Sequence, residues 1–162
     1  MATTECNSVA AIDSHCKRID KAAAKVPLQQ LYRSEGASWS RDPSPDEIFE
    51  EAANVVHLPS GEWVVYTTAT SESGDWVQYV NYWFSKSGRL IKLDRDLRTF
   101  FGNMQIIETL YYGCSGEQIK RTTKSLDLET KVPAEPGLEF IDTSFVRYKA
   151  VHRLPFYHLM RR

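Results

Sequence analysis

No stretch of the 162-residue chain reaches 18 consecutive apolar residues, so no segment reads as a transmembrane helix. Residues 1–6 contain neither a basic stretch nor an apolar run, so no signal peptide is legible. An excess of one charge is missing as well. Twenty Lys and Arg face 21 Asp and Glu, a formal net charge of −1, which gives no general attraction to nucleic acid or to an anionic membrane surface. Nucleic acid is therefore not an expected partner. Cysteine is scarce: Cys6, Cys16 and Cys114 are an odd number with no CxxC pair. A helix between Cys6 and Cys16 would hold them ~15 Å apart, too far for a disulfide. Pairing of Cys114 with Cys6 or with Cys16 stays open, beside the alternative of three free thiols.

Motifs that carry a mechanism are missing too. The chain has no P-loop, GxGxxG, GxSxG, HExxH or EF-hand loop. His15 and Cys16 are neighbours, which places them about 100° apart on a helix and not as a nucleophile–base pair. His57 sits beside a turn, and His152 and His158 lack a third ligand for a metal. Asp94, Asp96 and Glu108 are the carboxylates expected to share a face, but Arg95 and Arg98 interleave with them as on a solvated strand. No catalytic residue, metal ligand or cofactor is assigned, and the balance leans away from an enzyme.

What the chain does have is a 42% apolar fraction, 12% aromatic residues, and a regular beat of glycines. The first is enough for a real core and argues against global disorder. Gly61, Gly74, Gly88, Gly102 and Gly116 are separated by 13, 14, 14 and 14 residues. Between them lie runs rich in β-branched and aromatic residues, at 63–69, 76–84, 90–93, 106–112 and 118–123. A turn closed by a left-handed glycine, followed by about nine strand residues, predicts an up-and-down antiparallel meander.

Turn lengths predict the register. A three-residue Lys86-Ser87-Gly88 loop pairs Ser85 with Arg89 and sets Trp83 opposite Ile91. A Glu72-Ser73-Gly74 loop pairs Ser71 with Asp75 and sets Val65 opposite Asn81. Alternation then gives one core face of Trp63, Val65, Val77, Tyr79, Trp83, Ile91, Leu93 and Leu97. The other face is mixed: Val64, Tyr66, Trp76, Gln78, Val80, Tyr82, Phe84, Lys92, Asp94, Asp96 and Arg98. On it, Trp76 falls opposite Arg98 and Tyr82 opposite Lys92, two expected cation–π contacts. If the sheet curls, Trp76, Tyr82, Lys92, Asp96 and Arg98 share a concavity with aromatic walls and a few polar groups, the make-up of a ligand pocket. These five are the ligand-binding candidates.

One face needs a cover. Val9, Ile12, Cys16, Ile19, Ala23 and Val26 recur at helical spacing, with Asn7 or Ser8 as N-cap and Pro27 as stop. The fold expected is α+β: a single domain over 1–162, with an amphipathic helix over 8–26 on one face of a meander of five to seven strands. It is cystatin-like, or an open roll or half-barrel. Ser44, Pro45, Asp46 and Glu47 open a second short helix over 45–52. The meander runs over 54–128, and 143–162 is a basic C-terminal segment of a strand or short helix. Residues 1–142 hold 15 basic and 21 acidic side chains, whereas 143–162 hold five basic and no acidic ones. That segment reads as a solvated basic tail or as an anion-binding patch interleaved with Phe145, Tyr148, Phe156 and Tyr157.

The order Ser71-Glu72-Ser73-Gly74-Asp75, Tyr82-Trp83-Phe84, Ser87-Gly88-Arg89-Leu90-Ile91 and Ser115-Gly116-Glu117-Gln118-Ile119 resembles a layout in uncharacterised exported bacterial proteins. There, a Gly-Glu-Ser-Gly turn, a Tyr-Tyr-Phe strand and a Gly-x-Leu-Ile strand follow one another. The match covers about residues 50–125; Thr70 stands where the turn has its first glycine, and Trp83 sits inside the aromatic triplet. The resemblance implies a periplasmic or secreted protein without enzymatic activity. The expected function is a small exported binding domain that meets a small ligand or a protein partner on its aromatic-polar sheet face. The alternatives are an enzyme with a constellation on the concave face and a self-associating structural protein.

Overall fold

The computed structural model describes residues 8–42, 49–137, 140, 142–143 and 145–160. Helix α1 spans Val9–Ala23. The Ser8 hydroxyl accepts from the Ala11 amide at 3.4 Å, which satisfies one donor that a helix start leaves unpaired. The helix ends three residues before the expected Val26. Lys25 and Val26 donate three residues back, to Ala22 and Ala23, because a residue preceding proline avoids the α region.

Seven strands follow: β1 Gln29–Arg33, β2 Glu51–His57, β3 Trp63–Thr70, β4 Trp76–Phe84, β5 Leu90–Thr99, β6 Met104–Tyr112 and β7 Gln118–Asp127. Each pairs antiparallel with the next, and the sheet stays open, with β1 and β7 at its edges. All five glycines of the beat have positive φ, between 75° and 101°. Gly88 is the most constrained of them, since a Cβ there would meet Val151 Cγ1 at 2.9 Å. The expected helix over 45–52 is corrected at its end, where Glu51 and Ala52 already belong to β2; residues 45–48 lie outside the described set. Strand β1 has no counterpart among the expected strands, because Leu31 is its one fully buried residue and no alternation marks it.

The register departs from expectation twice. Ser71 donates to Trp76 O at 3.2 Å, not to Asp75, so the β3–β4 loop is one residue longer and Val65 faces Tyr82. The β4–β5 turn closes as expected, with Ser85 donating to Arg89 O at 2.8 Å. Ile91 then bulges out of the ladder, so that Phe84 faces Leu90 and Trp83 faces Lys92. The two slips cancel across β5 and invert β4 alone.

Each face consequently has its own core, a correction to the single core face. Leu31, Val55, Trp63, Val65, Val80, Tyr82, Phe84, Leu93 and Leu110 pack on one side. Val56, Val64, Trp83, Ile91 and Tyr111 pack on the other, beneath Ile12, Cys16, Ile19 and Ala23 of α1. Trp83 Nε1 donates to Asp20 Oδ1 at 2.7 Å. Lys92 Nζ lies 3.2 Å from both Asp13 and Asp94 and sits over the Trp83 and Tyr111 rings. These contacts fix the helix to the sheet.

The C-terminal segment covers the first face and makes a third layer. It turns twice, at Val151–Arg153 and Tyr157–Leu159. Leu90 donates to Lys149 O at 3.0 Å and Val151 to Gly88 O at 2.8 Å. Val151, Leu154, Phe156 and Met160 are buried, with Phe145, Tyr148 and Tyr157 packed behind them, while Arg147, Lys149 and Arg153 point to solvent. The Leu159 carbonyl accepts from Gln29 Nε2 at 2.7 Å and Arg41 Nε at 2.8 Å, which ties the chain end to the β1 edge. Cys114 is disulfide-bonded and Cys16 is a free, buried thiol, which excludes a Cys16–Cys114 pair.

Candidate functional site

The inversion of β4 separates the five candidate residues. Trp76 and Tyr82 face the C-terminal segment, packing with Leu97 and with Val80, Phe84 and Tyr148 respectively. Lys92, Asp96 and Arg98 lie on the helix side. The expected cation–π pairs are replaced by others. Lys92 sits over Trp83 at 5.1 Å, and Arg98 sits over Tyr79 at 5.2 Å. Arg98 donates to Asp96 Oδ2 at 2.8 Å, and Asp96 also accepts from Gln105 Nε2 at 2.8 Å. The helix-side three are therefore paired with one another or with the helix and line no shared concavity with Trp76 and Tyr82.

Asp94, Asp96 and Glu108 do not share a face either. Glu108 stands opposite Arg95, on the side of the C-terminal segment. Arg95 and Glu108 are 3% and 2% exposed. Arg95 donates to Gln78 Oε1 at 2.7 Å, Glu108 Oε2 at 2.8 Å, Asp142 Oδ1 at 2.7 Å and Thr143 O at 2.6 Å. Glu108 Oε1 accepts from Arg121 Nε at 2.9 Å. Burial pushes the Glu108 carboxyl up, but hydrogen bonds from Arg95 and Arg121 outweigh it and hold it below the ordinary value. Every arm of this network ends on a partner, so its work is to anchor residues 142–143 to the sheet. Little in the sequence signals it: Arg95 sits among alternating charges that look solvated, and Glu108 is a lone carboxylate in a mostly apolar strand run.

Beside the network lies a groove of about 190 Å³ between the sheet and the C-terminal segment. Strands β3 and β4 supply Thr67, Trp76, Gln78 and Tyr82; the segment supplies Phe145, Tyr148 and Phe156; Trp39 and Glu51 complete the wall. Tyr82 Oη donates to Val146 O at 2.9 Å, which holds the segment at this distance from β4. Thr67 Oγ1 is turned to the backbone, donating to Val80 O at 2.9 Å. Trp39 and Phe156 meet at 4.5 Å and 58°, and Tyr82 and Tyr148 at 5.9 Å and 53°. Burial raises both tyrosines; the Glu51 carboxylate adds to that rise in each, after Tyr148 in the case of Tyr82. Trp39 and Glu51 were not among the sequence candidates, since they come from a loop and the expected short helix; Phe145, Tyr148 and Phe156 were named only as part of a basic anion-binding patch.

A larger cavity of about 440 Å³ opens at the β1 edge, lined by 26–30, Arg41, Asp42, Val55 and His57. Among its described lining residues the one aromatic ring, His57, is stacked on Trp63 at 3.8 Å. Among the described residues, no three His, Cys, Asp or Glu side chains are grouped to hold a metal. Among them, too, no helix is long and apolar enough to cross a membrane. No family model, no curated protein and no solved structure matches this chain.

Proposed function

We propose that the protein is a small exported binding domain whose site is the groove between β3–β4 and the C-terminal segment. The observation that carries this is the make-up of the groove. Six aromatic side chains from three parts of the chain wall about 190 Å³, with Glu51 and Gln78 among them. Apolar walls with few polar groups are what small-molecule sites are made of, and this volume suits a ligand smaller than a drug. Trp76 and Tyr82, singled out in the sequence, line it. Export is supported by the disulfide at Cys114, since disulfides persist in oxidising compartments, and by the resemblance to exported bacterial proteins.

Thermal-shift screening against metabolites, sugars, amines and peptides tests the site. A ligand at 100 times its Kd stabilises by ~2.7 kcal/mol, and Trp76→Ala abolishes that shift while the variant keeps its circular dichroism. A stabilising ligand indifferent to both Trp76→Ala and Tyr148→Ala would place binding elsewhere. Protein prepared without reductant exposes one reactive thiol on unfolding if the export reading holds, and three if it does not.

A further inference from the structure

The groove has a sign as well as a shape. Among its described lining residues, Glu51 is the one charged side chain, and no Lys, Arg or His lines it. Its carboxylate is ion-paired through Oε1 with Arg33, which lies outside the lining. The rings do not stack flat on one another. Trp39 meets Phe156 at 58° and Tyr82 meets Tyr148 at 53°, so the walls form corners. Ring faces carry the negative part of the aromatic quadrupole, and rings set at angles around one space concentrate it. The Glu51 field is felt at both the Tyr82 and Tyr148 phenols, and the Arg33 charge opposes it at Tyr148. Phe145 receives two guanidinium groups on its ring, Arg95 at 4.7 Å and Arg147 at 5.5 Å. The Arg95 charge is answered by Glu108 and Asp142, so it does not cancel the character of the groove.

We infer that the groove binds a small organic cation, of the methylated-ammonium class, held by the angled aromatic walls and the Glu51 carboxylate. This rests on the groove being the binding site and adds the chemistry of the ligand. A quaternary ammonium group suits such a site because it has no N–H to satisfy and its charge is spread over methyl groups that pack against rings. An anion meets Glu51 with no positive partner on the lining.

Choline and its uncharged isostere, 3,3-dimethylbutan-1-ol, separate shape from charge. Titration calorimetry on the unaltered protein is expected to show choline binding at least tenfold more tightly than the isostere. Glu51→Gln lowers choline affinity by about tenfold and leaves the isostere unchanged, whereas Trp76→Ala weakens both. Equal affinity for the two compounds overturns the cation assignment and leaves the groove as a site. Binding of neither overturns the cation assignment too, and the broad thermal-shift screen then decides the groove by itself. Should Glu51→Gln fail to fold, the choline–isostere ratio on the unaltered protein still distinguishes a cation site from an apolar one.

Discussion

Arg95 on β5 and Glu108 on β6 stand directly opposite one another, joined at 2.8 Å with almost no access to water. Removing one partner takes away the buried counter-charge and leaves Arg95 only the exposed Asp142, or Glu108 only the half-exposed Arg121. Arg95→Leu and Glu108→Leu are each expected to lower unfolding free energy by ~3–5 kcal/mol. The double variant loses less than the sum, since neither charge then remains unanswered. Urea denaturation of the four proteins as a double-mutant cycle measures this; strict additivity would deny the coupling.

The same carboxyl sets a pH dependence. It is held below its ordinary value in the folded protein, because the arginine hydrogen bonds outweigh the burial that opposes them. A carboxyl lowered on folding contributes its stability in full above its unfolded value and loses it as pH falls through the folded one. The Glu108 contribution to the urea midpoint is therefore expected to be full above the ordinary carboxyl range and to decline as pH falls through and below it. The gap between the natural chain and Glu108→Gln narrows over the same acid range. A gap that widens with acid would give the shift the opposite sign.

Gly88 holds φ at 76° and leaves no room for a Cβ against Val151. Gly88→Ala combines left-handed strain with displacement of the segment bonded to the Gly88 carbonyl. A loss of ~1–2 kcal/mol is expected from the backbone alone, with more from the clash. Gly74→Ala, where a Cβ meets nothing within 4 Å, isolates the backbone part. Equal losses at the two sites, read by thermal unfolding, would mean that the Val151 contact contributes nothing.

On the opposite face, Lys92 ties Asp13 of α1 to Asp94 of β5. Beneath the helix, burial pushes the Cys16 thiol up to about 12, so it is protonated and shielded at neutral pH. Lys92→Ala is expected to loosen the helix and to speed reaction of Cys16 with a thiol reagent severalfold in the native protein. An unchanged labelling rate would show that the apolar contacts of Ile12 and Ile19 hold the helix without the lysine.

The glycine spacing was enough to place β3 to β7 and their turns, and the 3–4 spacing of Ile12, Cys16, Ile19 and Ala23 placed the helix. Facing was legible only in part. Whether a strand shows one side or the other depends on a count of loop residues modulo two. One extra residue before Trp76 and one bulged Ile91 leave no mark in composition. Hence Trp76 and Tyr82 fell in the groove while Lys92, Asp96 and Arg98 fell on the far side. The cover over the groove was illegible for another reason. Residues 145–160 have neither helical nor strand periodicity, and their inward aromatics alternate with outward bases only because the sheet beneath dictates it.

The Leu159 carbonyl receives Gln29 and Arg41, about 130 and 118 residues earlier in the chain. Every strand pairs with its sequence neighbour, and from β2 to β7 the connections are short loops, which are fast to close. The cover closes over a far longer separation. As the chain is synthesised, an apolar sheet face carrying Val65, Tyr82, Leu93 and Leu110 stands complete while the residues that cover it are still to come. The groove thus exists only once that cover has closed, and a protein interrupted before then displays a sticky, paired sheet in place of a site.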